Sequence, residues 1–314
     1  MPCPREYIAP PPLSRLEIPR KELDKHSVID HGNFGIVYVG KWRSFVDVAI
    51  KELKTGTMSR EQFLEEVNIM RQLQSECKHT NLVRLYGYCS KEDPICIVTE
   101  FMPNKSLFKY LRSPKITPQT LPFTGLIDIS TQISSAMSYL EQNSIVHRDL
   151  AARNVLVGKD GWSQAPLVKV ADFGLARFII DVEYNSRRGT KFPIRWTAPE
   201  ALAYGIFTTK SDVWSFGILL FEIFTYGKTP YEGMSTQEVI TRIQGEKYRM
   251  ERLPEIPQPI YEQIMLSCWE QKPEMRPTFD YLYNYFADYN VAKENSYHNN
   301  SCSVEDDTSA RWIG

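Results

Sequence analysis

An aspartate and an asparagine stand five residues apart in Val146-His147-Arg148-Asp149-Leu150-Ala151-Ala152-Arg153-Asn154, behind a His-Arg pair. A positioned carboxylate can take a proton from a hydroxyl, and an amide carbonyl is a hard oxygen donor for an ion such as magnesium. A second acid, Asp172 of Asp172-Phe173-Gly174, follows the β-type run Val168-Lys169-Val170. Upstream, Lys51 ends the apolar run Val48-Ala49-Ile50, and Glu66 falls between Phe63 and Met70 on the apolar side of a helical pattern. A carboxylate on a core-facing stripe needs a cationic partner, and Lys51 fits that need. Glu61 and Glu65 lie on a neighbouring face and can point to water. Gly32-Asn33-Phe34-Gly35-Ile36-Val37 lies between two β-type runs, where glycines let backbone N–H groups approach an anion closely. Each signal is weak alone. Glycine pairs also make hairpin turns, a strand-end lysine can snorkel to the surface, and an acid after a strand is an ordinary turn signal.

The pattern of elements around these residues is α+β. From about Leu23 to Glu52 short β-type runs dominate: Val28-Ile29, Ile36 to Val39 and Val46 to Ile50. Phe63, Val67, Met70 and Leu73 then recur at helical spacing, and the β-type runs Leu82 to Tyr88 and Ile95 to Phe101 follow. Beyond Pro103 the pattern is helical. Leu126, Ile129, Ile133, Met137 and Leu140 mark an amphipathic helix ending just before the Asp149 loop. Val213 to Phe224 is apolar nearly all round, which predicts a buried helix, and further helices are expected over 236–244, 258–270 and 278–288. Residues 1–20 are Pro-rich, and Pro10-Pro11-Pro12 reads either as a mobile lead-in or as a docking segment for a Pro-binding module.

Composition narrows the class. With 314 residues, 42% hydrophobic and 24% charged, the chain can bury a large core. A net charge of −1 gives no support to non-specific nucleic-acid binding. The apolar run at 213–224 is interrupted by Glu222 and is too short to span a bilayer. Met1-Pro2-Cys3 opens no signal peptide and no N-myristoylation site. Six scattered cysteines without a C-x-x-C pair are expected as reduced thiols, so a cytoplasmic setting is expected, with membrane association only through a longer parent protein. No G-x-x-x-x-G-K-[ST] occurs, which argues against a Walker-type site.

In their order and spacing the glycine loop, Lys51, Glu66, Asp149 to Asn154, Asp172 and Ala198-Pro199-Glu200 resemble a protein kinase catalytic domain. The resemblance implies a bilobal fold over residues 22–287, with a sheet-based lobe at 22–101 and a mainly helical lobe at 102–287, a Pro-rich linker at 1–21 and a polar tail at 288–314. It implies ATP with Mg2+ or Mn2+. Asp149 would be the base, supported by Arg153. Lys51, aimed by Glu66, would hold phosphates, and Asn154 and Asp172 would be the metal ligands. Gly32 and Gly35 would cover the phosphates. Thr99 matches the position at the back of the adenine pocket, Glu100 and Met102 the hinge, and Val37, Ala49 and Leu156 the apolar walls. Glu200 would pair with Arg276, and Asp212 would anchor the catalytic loop. Phe173 and His147 would pack inward beside Met70 and Leu85. Asp30 departs from the glycine pattern at its first position; a carboxylate there should repel a triphosphate unless it points away.

Several details resemble tyrosine kinases. Ala151 stands where Ser/Thr kinases usually carry lysine, Arg153 sits four residues after Asp149, and Lys191-Phe192-Pro193-Ile194-Arg195-Trp196-Thr197 looks like their substrate platform, where Pro193 can pack against a phenol ring. Ala151-Ala152-Arg153 is the Abl/Tec spelling, whereas Leu16-Glu17-Ile18-Pro19-Arg20 is similar to the lead-in of a Src-type domain, with Leu16 at a tryptophan position. The group implied is therefore the cytoplasmic, non-receptor Src/Tec/Abl-like kinases, acting as a monomer on tyrosine-bearing proteins. Tyr184 would be autophosphorylated, its phosphate received by Arg148 and Arg177. Tyr297 is either a regulatory tail tyrosine or a plain exposed one. The competing reading is a pseudokinase acting as a scaffold, for which Asp30 is the only support; a small-molecule phosphotransferase is disfavoured by the Ala198-Pro199-Glu200 segment.

Overall fold

Three consecutive β-type runs pair antiparallel as β1 (Leu23–His31), β2 (Gly35–Trp42) and β3 (Val46–Leu53). The computed structural model describes residues 12–31, 35–54, 59–74, 79–159, 165–178 and 193–289. With β4 (Leu85–Cys89) and β5 (Cys96–Glu100) these strands form a five-stranded sheet in the order β1-β2-β3-β5-β4. Alternation along β3 decides its two faces. Val48 and Ile50 are buried in a small core with Ile18, Cys89, Cys96 and Val98, while Ala49 and Lys51 are half-buried on the other face. Gly35 has a reason within the sheet as well as the one inferred from sequence: a Cβ there would collide with the Glu52 carbonyl oxygen.

The helix expected around Glu66 is α1 (Arg60–Gln72), started by a capping box in which Ser59 and Gln62 satisfy each other's backbone N–H groups. It buries Phe63, Val67, Ile69 and Met70, and Glu66 with them. After α1 the chain is tied to the second lobe. Asn81 Nδ2 donates to Gln132 Oε1 at 2.9 Å and to Val168 O at 3.0 Å, and Gln132 Oε1 also accepts from Val168 N at 2.9 Å.

Residues 12–21, part of the expected Pro-rich linker, pack onto the sheet. Ile18 is buried, its N–H donates to Tyr88 O at 2.8 Å, and Cys89 Sγ donates to Ile18 O at 3.0 Å. Glu17 accepts from Ser90 N at 2.9 Å and Ser90 Oγ at 3.0 Å, and Arg20 donates to Glu52 at 3.1 Å. This segment lacks helical or strand periodicity because it buries one side chain and then pairs polar groups, a pattern that composition does not report. Cys89 and Cys96 face each other across β4 and β5 as free thiols, as does the buried Cys268 elsewhere.

The second lobe begins with α2 (Leu107–Leu111), capped by Ser106, and α3 (Phe123–Gln142). Short strands β6 (Ile145–Val146), β7 (Val155–Val157), β8 (Val168–Val170) and β9 (Arg177–Phe178) pair as β6 with β9 and β7 with β8. The loop joining β7 to β8 falls partly outside the described residues. Helices α4 (Pro199–Tyr204), α5 (Thr209–Phe224) and α6 (Thr236–Gln244) follow. α5 is buried from Ser211 through Phe224, as its unbroken apolar character predicts. The helix expected over 258–270 contains a π-helical stretch, Ile260–Met265, and a last helix covers 279–289. Arg276, with no exposed side-chain surface, grips Glu200 through two bonds of 2.7 and 2.8 Å. The α+β, two-lobed architecture is the one expected. Among the described residues no helix is long and apolar enough to cross a membrane.

Candidate active site

The Asp149 loop is shaped by two buried acids of α5. Asp212 accepts from His147 N at 2.7 Å and from Arg148 N at 2.9 Å. These bonds hold Arg148 at φ 69, a left-handed conformation that costs a side-chain-bearing residue strain. Burial pushes the Asp212 carboxyl up to about 6 despite these donors. Glu222 Oε2 accepts from Ala152 N at 3.0 Å and from Trp196 Nε1 at 2.9 Å, and burial pushes it up to about 7. In the sequence Glu222 stands out only as the break in an apolar run. An acid inside a helix buried on all sides was the signal that a hydrogen-bonded acceptor was needed there.

Asp149 is thereby presented with three contacts. Asn154 Nδ2 donates to its Oδ2 and to its backbone carbonyl, both at 2.7 Å, and Arg153 Nη2 donates to Oδ1. Burial raises the Asp149 carboxyl above the usual carboxylate range, with Arg153 acting against the rise. The Arg153 guanidinium also lies over the Trp196 ring, 4.5 Å from its centre.

Lys51 bridges the lobes. Its Nζ donates to Glu66 Oε1 at 3.2 Å and to Asp172 Oδ1 at 2.9 Å. Burial alone would lower the lysine, but the two carboxylates raise it above its ordinary value. Burial alone would raise Asp172, but the Lys51 charge and hydrogen bond hold it below the usual carboxylate range. Asp172 sits at φ 63 and ψ 74, again left-handed. Phe173 is buried with its ring 5.5 Å from that of His147, whose Nε2 lies 3.1 Å from Ala171 O. A cavity of ≈ 270 Å³ beside Met70 and Phe173 is lined also by His79, Val83 and Lys169. Asp149, Asp172 and Lys51 are not among its walls, but Glu100 is.

Some of the residues expected around adenine share one face of the sheet. Val37 pairs across the sheet with Lys51, and Val39 with Ala49, which places them on the face that carries Lys51. Ala49 also faces Thr99 in β5. Glu100 accepts from Arg84 N at 2.7 Å and Lys169 Nζ at 2.8 Å, so its side chain is occupied. Met102 is buried, and Leu156 is the one half-buried residue of β7, bridged to Ser106. Gly32, Tyr184, Lys191, Phe192 and Tyr297, with Pro10 and Pro11, lie outside the described residues, whereas Pro12 is exposed.

The platform segment is pinned from below. Arg195 Nη1 donates to Pro230 O and Tyr231 O at 2.6 Å each, and Ser215 Oγ donates to Trp196 O at 2.7 Å. Thr197 Oγ1 donates to Pro193 O at 3.1 Å.

Ala171 N donates to the backbone carbonyl of Asn154 at 2.9 Å, so Asp172 and Asn154, whose side-chain amide oxygen is a hard donor, lie close together in the fold. Among the described residues no group of three or more His, Cys, Asp or Glu could hold a metal ion. Two protein donors with open positions suit an ion that keeps water and phosphate oxygens in its shell.

Comparison with known proteins agrees with this geometry. The sequence model described as "Protein tyrosine and serine/threonine kinase" matches residues 23–286. The chain is 50% identical over 302 residues to "Tyrosine protein-kinase src-1" of Caenorhabditis elegans, covering 94% of this chain and 55% of that protein. It is 46% identical over 303 residues to "Tyrosine-protein kinase Src64B" of Drosophila melanogaster, covering 94% of this chain and 52% of that protein. The chain thus spans about half the length of the curated relatives it matches. A family match over most of the chain, on a two-lobed fold whose cleft gathers Lys51, Glu66, Asp149, Asn154 and Asp172, means that the chain belongs to the protein tyrosine and serine/threonine kinase family.

Proposed function

We propose that this chain is a non-receptor protein tyrosine kinase that transfers the γ-phosphoryl group of Mg-ATP to tyrosine hydroxyls of proteins. The observation that carries the reading is Arg153, whose guanidinium bonds Asp149 and lies on Trp196 of the platform segment, so the base and the peptide floor form one unit. Tyrosine as acceptor is favoured by Ala151 and Arg153 and by the names of both relatives. Bound ATP supplies the phosphoryl group, and its divalent ion, Mg2+ here with Mn2+ as substitute, neutralises the phosphate charge. Asp149 orients the phenol and accepts its proton. Lys51, aimed by Glu66, holds phosphate oxygens, and Arg153 balances charge on the transferring side. Asn154 and Asp172 would hold the ion. Catalysis by such a set is positioning plus charge stabilisation. The intact Lys51–Glu66 pair favours this reading over a scaffold role.

Incubation with Mg-ATP and poly(Glu,Tyr), read with an anti-phosphotyrosine antibody and controlled by Asp149→Asn, tests the proposal. Phosphotyrosine in the wild type alone supports it, and none in either sinks it. Catalytic limits at 22–287, a monomeric state, a cytoplasmic setting with membrane association through a longer parent, and a Pro-binding partner at Pro10–Pro12 belong to the same proposal. Tyr184 is proposed as an activating autophosphorylation site, and Tyr297 as either a regulatory tail tyrosine or a plain exposed one. Equal activity of Tyr184→Phe and wild type after ATP preincubation would remove the first, and failure of a partner kinase to phosphorylate Tyr297 in the full-length protein would remove its regulatory reading.

A further inference from the structure

Asp30, the residue that departs from the glycine pattern, has a partner in the opposite lobe: its Oδ1 accepts from Lys109 Nζ at 2.7 Å. Asp30 belongs to β1 and pairs with Val37 of β2, the strand that also carries Gly35. Lys109 belongs to α2, which begins directly after the hinge; its cap Ser106 is bridged to Leu156 in the floor of the cleft. The ion pair therefore runs from the roof of the nucleotide cleft to its floor. Among the described residues three ion pairs tie the two lobes: Lys169–Glu100 at the hinge, 12% and 20% exposed, and two across the cleft at different depths. Lys51–Asp172 is the inner one, with side chains 21% and 33% exposed, and Asp30–Lys109 the outer one, with Asp30 55% and Lys109 45% exposed.

We propose that Asp30 and Lys109 form a latch across the mouth of the nucleotide cleft that slows nucleotide release; this rests on the ATP-binding role proposed above. Release requires roof and floor to part, and the outer pair must break each time they do. The same bond offsets the repulsion expected of a lone carboxylate beside a triphosphate, because the Asp30 charge is matched by a cation 2.7 Å away. An exposed pair of this kind is weak, so release should speed up about two- to fivefold on its loss. Such an effect is screened by salt.

The two views of Asp30 predict opposite signs. Pre-bound N-methylanthraniloyl-ADP, chased with excess unlabelled ADP in a stopped-flow fluorimeter, reads the release rate without any turnover. Asp30→Asn, Lys109→Met and the reversed pair Asp30→Lys/Lys109→Asp are compared with wild type at about 0.05 M and about 0.5 M salt, on either side of strong screening. The latch predicts that both single variants release faster by about two- to fivefold, that the reversed pair returns toward wild type, and that the differences shrink at high salt. Slower or unchanged release in Asp30→Asn overturns the latch and leaves the kinase reading standing. Wild-type chain that binds no labelled ADP overturns the kinase reading itself. A reversed pair no slower than the single variants also overturns the latch, since charge complementarity is all that it retains.

Discussion

Arg153 lies over Trp196 with its guanidinium 4.5 Å from the ring centre while one of its nitrogens donates to Asp149. Trp196 is held in turn by Glu222, whose same carboxylate oxygen takes the Ala152 N–H. A closed circuit results: α5 fixes Trp196, Trp196 lies under Arg153, and Arg153 fixes Asp149. A planar guanidinium can stack and hydrogen-bond in one plane, which an ammonium cannot.

Arg153→Lys should therefore lower kcat by about tenfold to a hundredfold, the scale of a lost stacked, charge-assisted contact. Because Arg153 is not proposed to hold nucleotide, KM for ATP should stay near wild type. Steady-state kinetics on a tyrosine peptide separate the two constants, and a change confined to KM would refute the positioning role.

Asp149→Asn should lower kcat by about 10²- to 10⁴-fold, as expected for loss of a general base. The wild-type acid limb has a definite sign. The base must be ionised, and burial raises the Asp149 carboxyl, so kcat/KM should fall as pH drops through a value above the ordinary 3.8. A pH–rate profile taken on folded protein checks this.

Glu222 makes stability depend on pH. Its carboxyl rises from an ordinary 4.5 to about 7, so the folded state holds the proton more tightly than the unfolded state. The resulting stabilisation is fully present below about 4.5 and is lost as pH rises through about 7. Glu222→Gln keeps an oxygen for the Ala152 and Trp196 donors but removes the titration. Between these limits its melting temperature should vary less with pH than that of wild type, by an amount equivalent to a few kcal/mol at most. Parallel pH dependences in the two proteins would contradict the assignment.

Arg276→Ala should cost about 3–5 kcal/mol, because it strands the Glu200 carboxylate against a fully buried site. Urea unfolding measures the loss, and the double variant Arg276→Met/Glu200→Leu should recover part of it by removing both charges.

Much of the candidate site is legible in the sequence because its residues stand in short contiguous strings. Asp149 and Asn154 share one loop, Asp172 follows a strand, and Glu66 contradicts the apolar stripe it sits on, which is a local signal of a buried partner. The sheet and the buried α5 were legible for the same reason, since alternation and an unbroken apolar run report burial directly. The lead-in at 12–21 was not, because its order comes from Tyr88, Ser90 and Cys89, far along the chain. The same holds for the roles of Glu222 and Lys109, and for the tie from Asn81 to Gln132.

Residue types and spacings suffice to single out two aspartates, a lysine and an asparagine as the candidates for the proposed phosphoryl transfer. They do not say how the two aspartates differ. Asp149 is raised by burial that Arg153 only partly offsets, while Asp172 is lowered by Lys51, 121 residues away in sequence. The side chains are identical, so the division of labour comes from desolvation and from the charges that folding brings within hydrogen-bond reach.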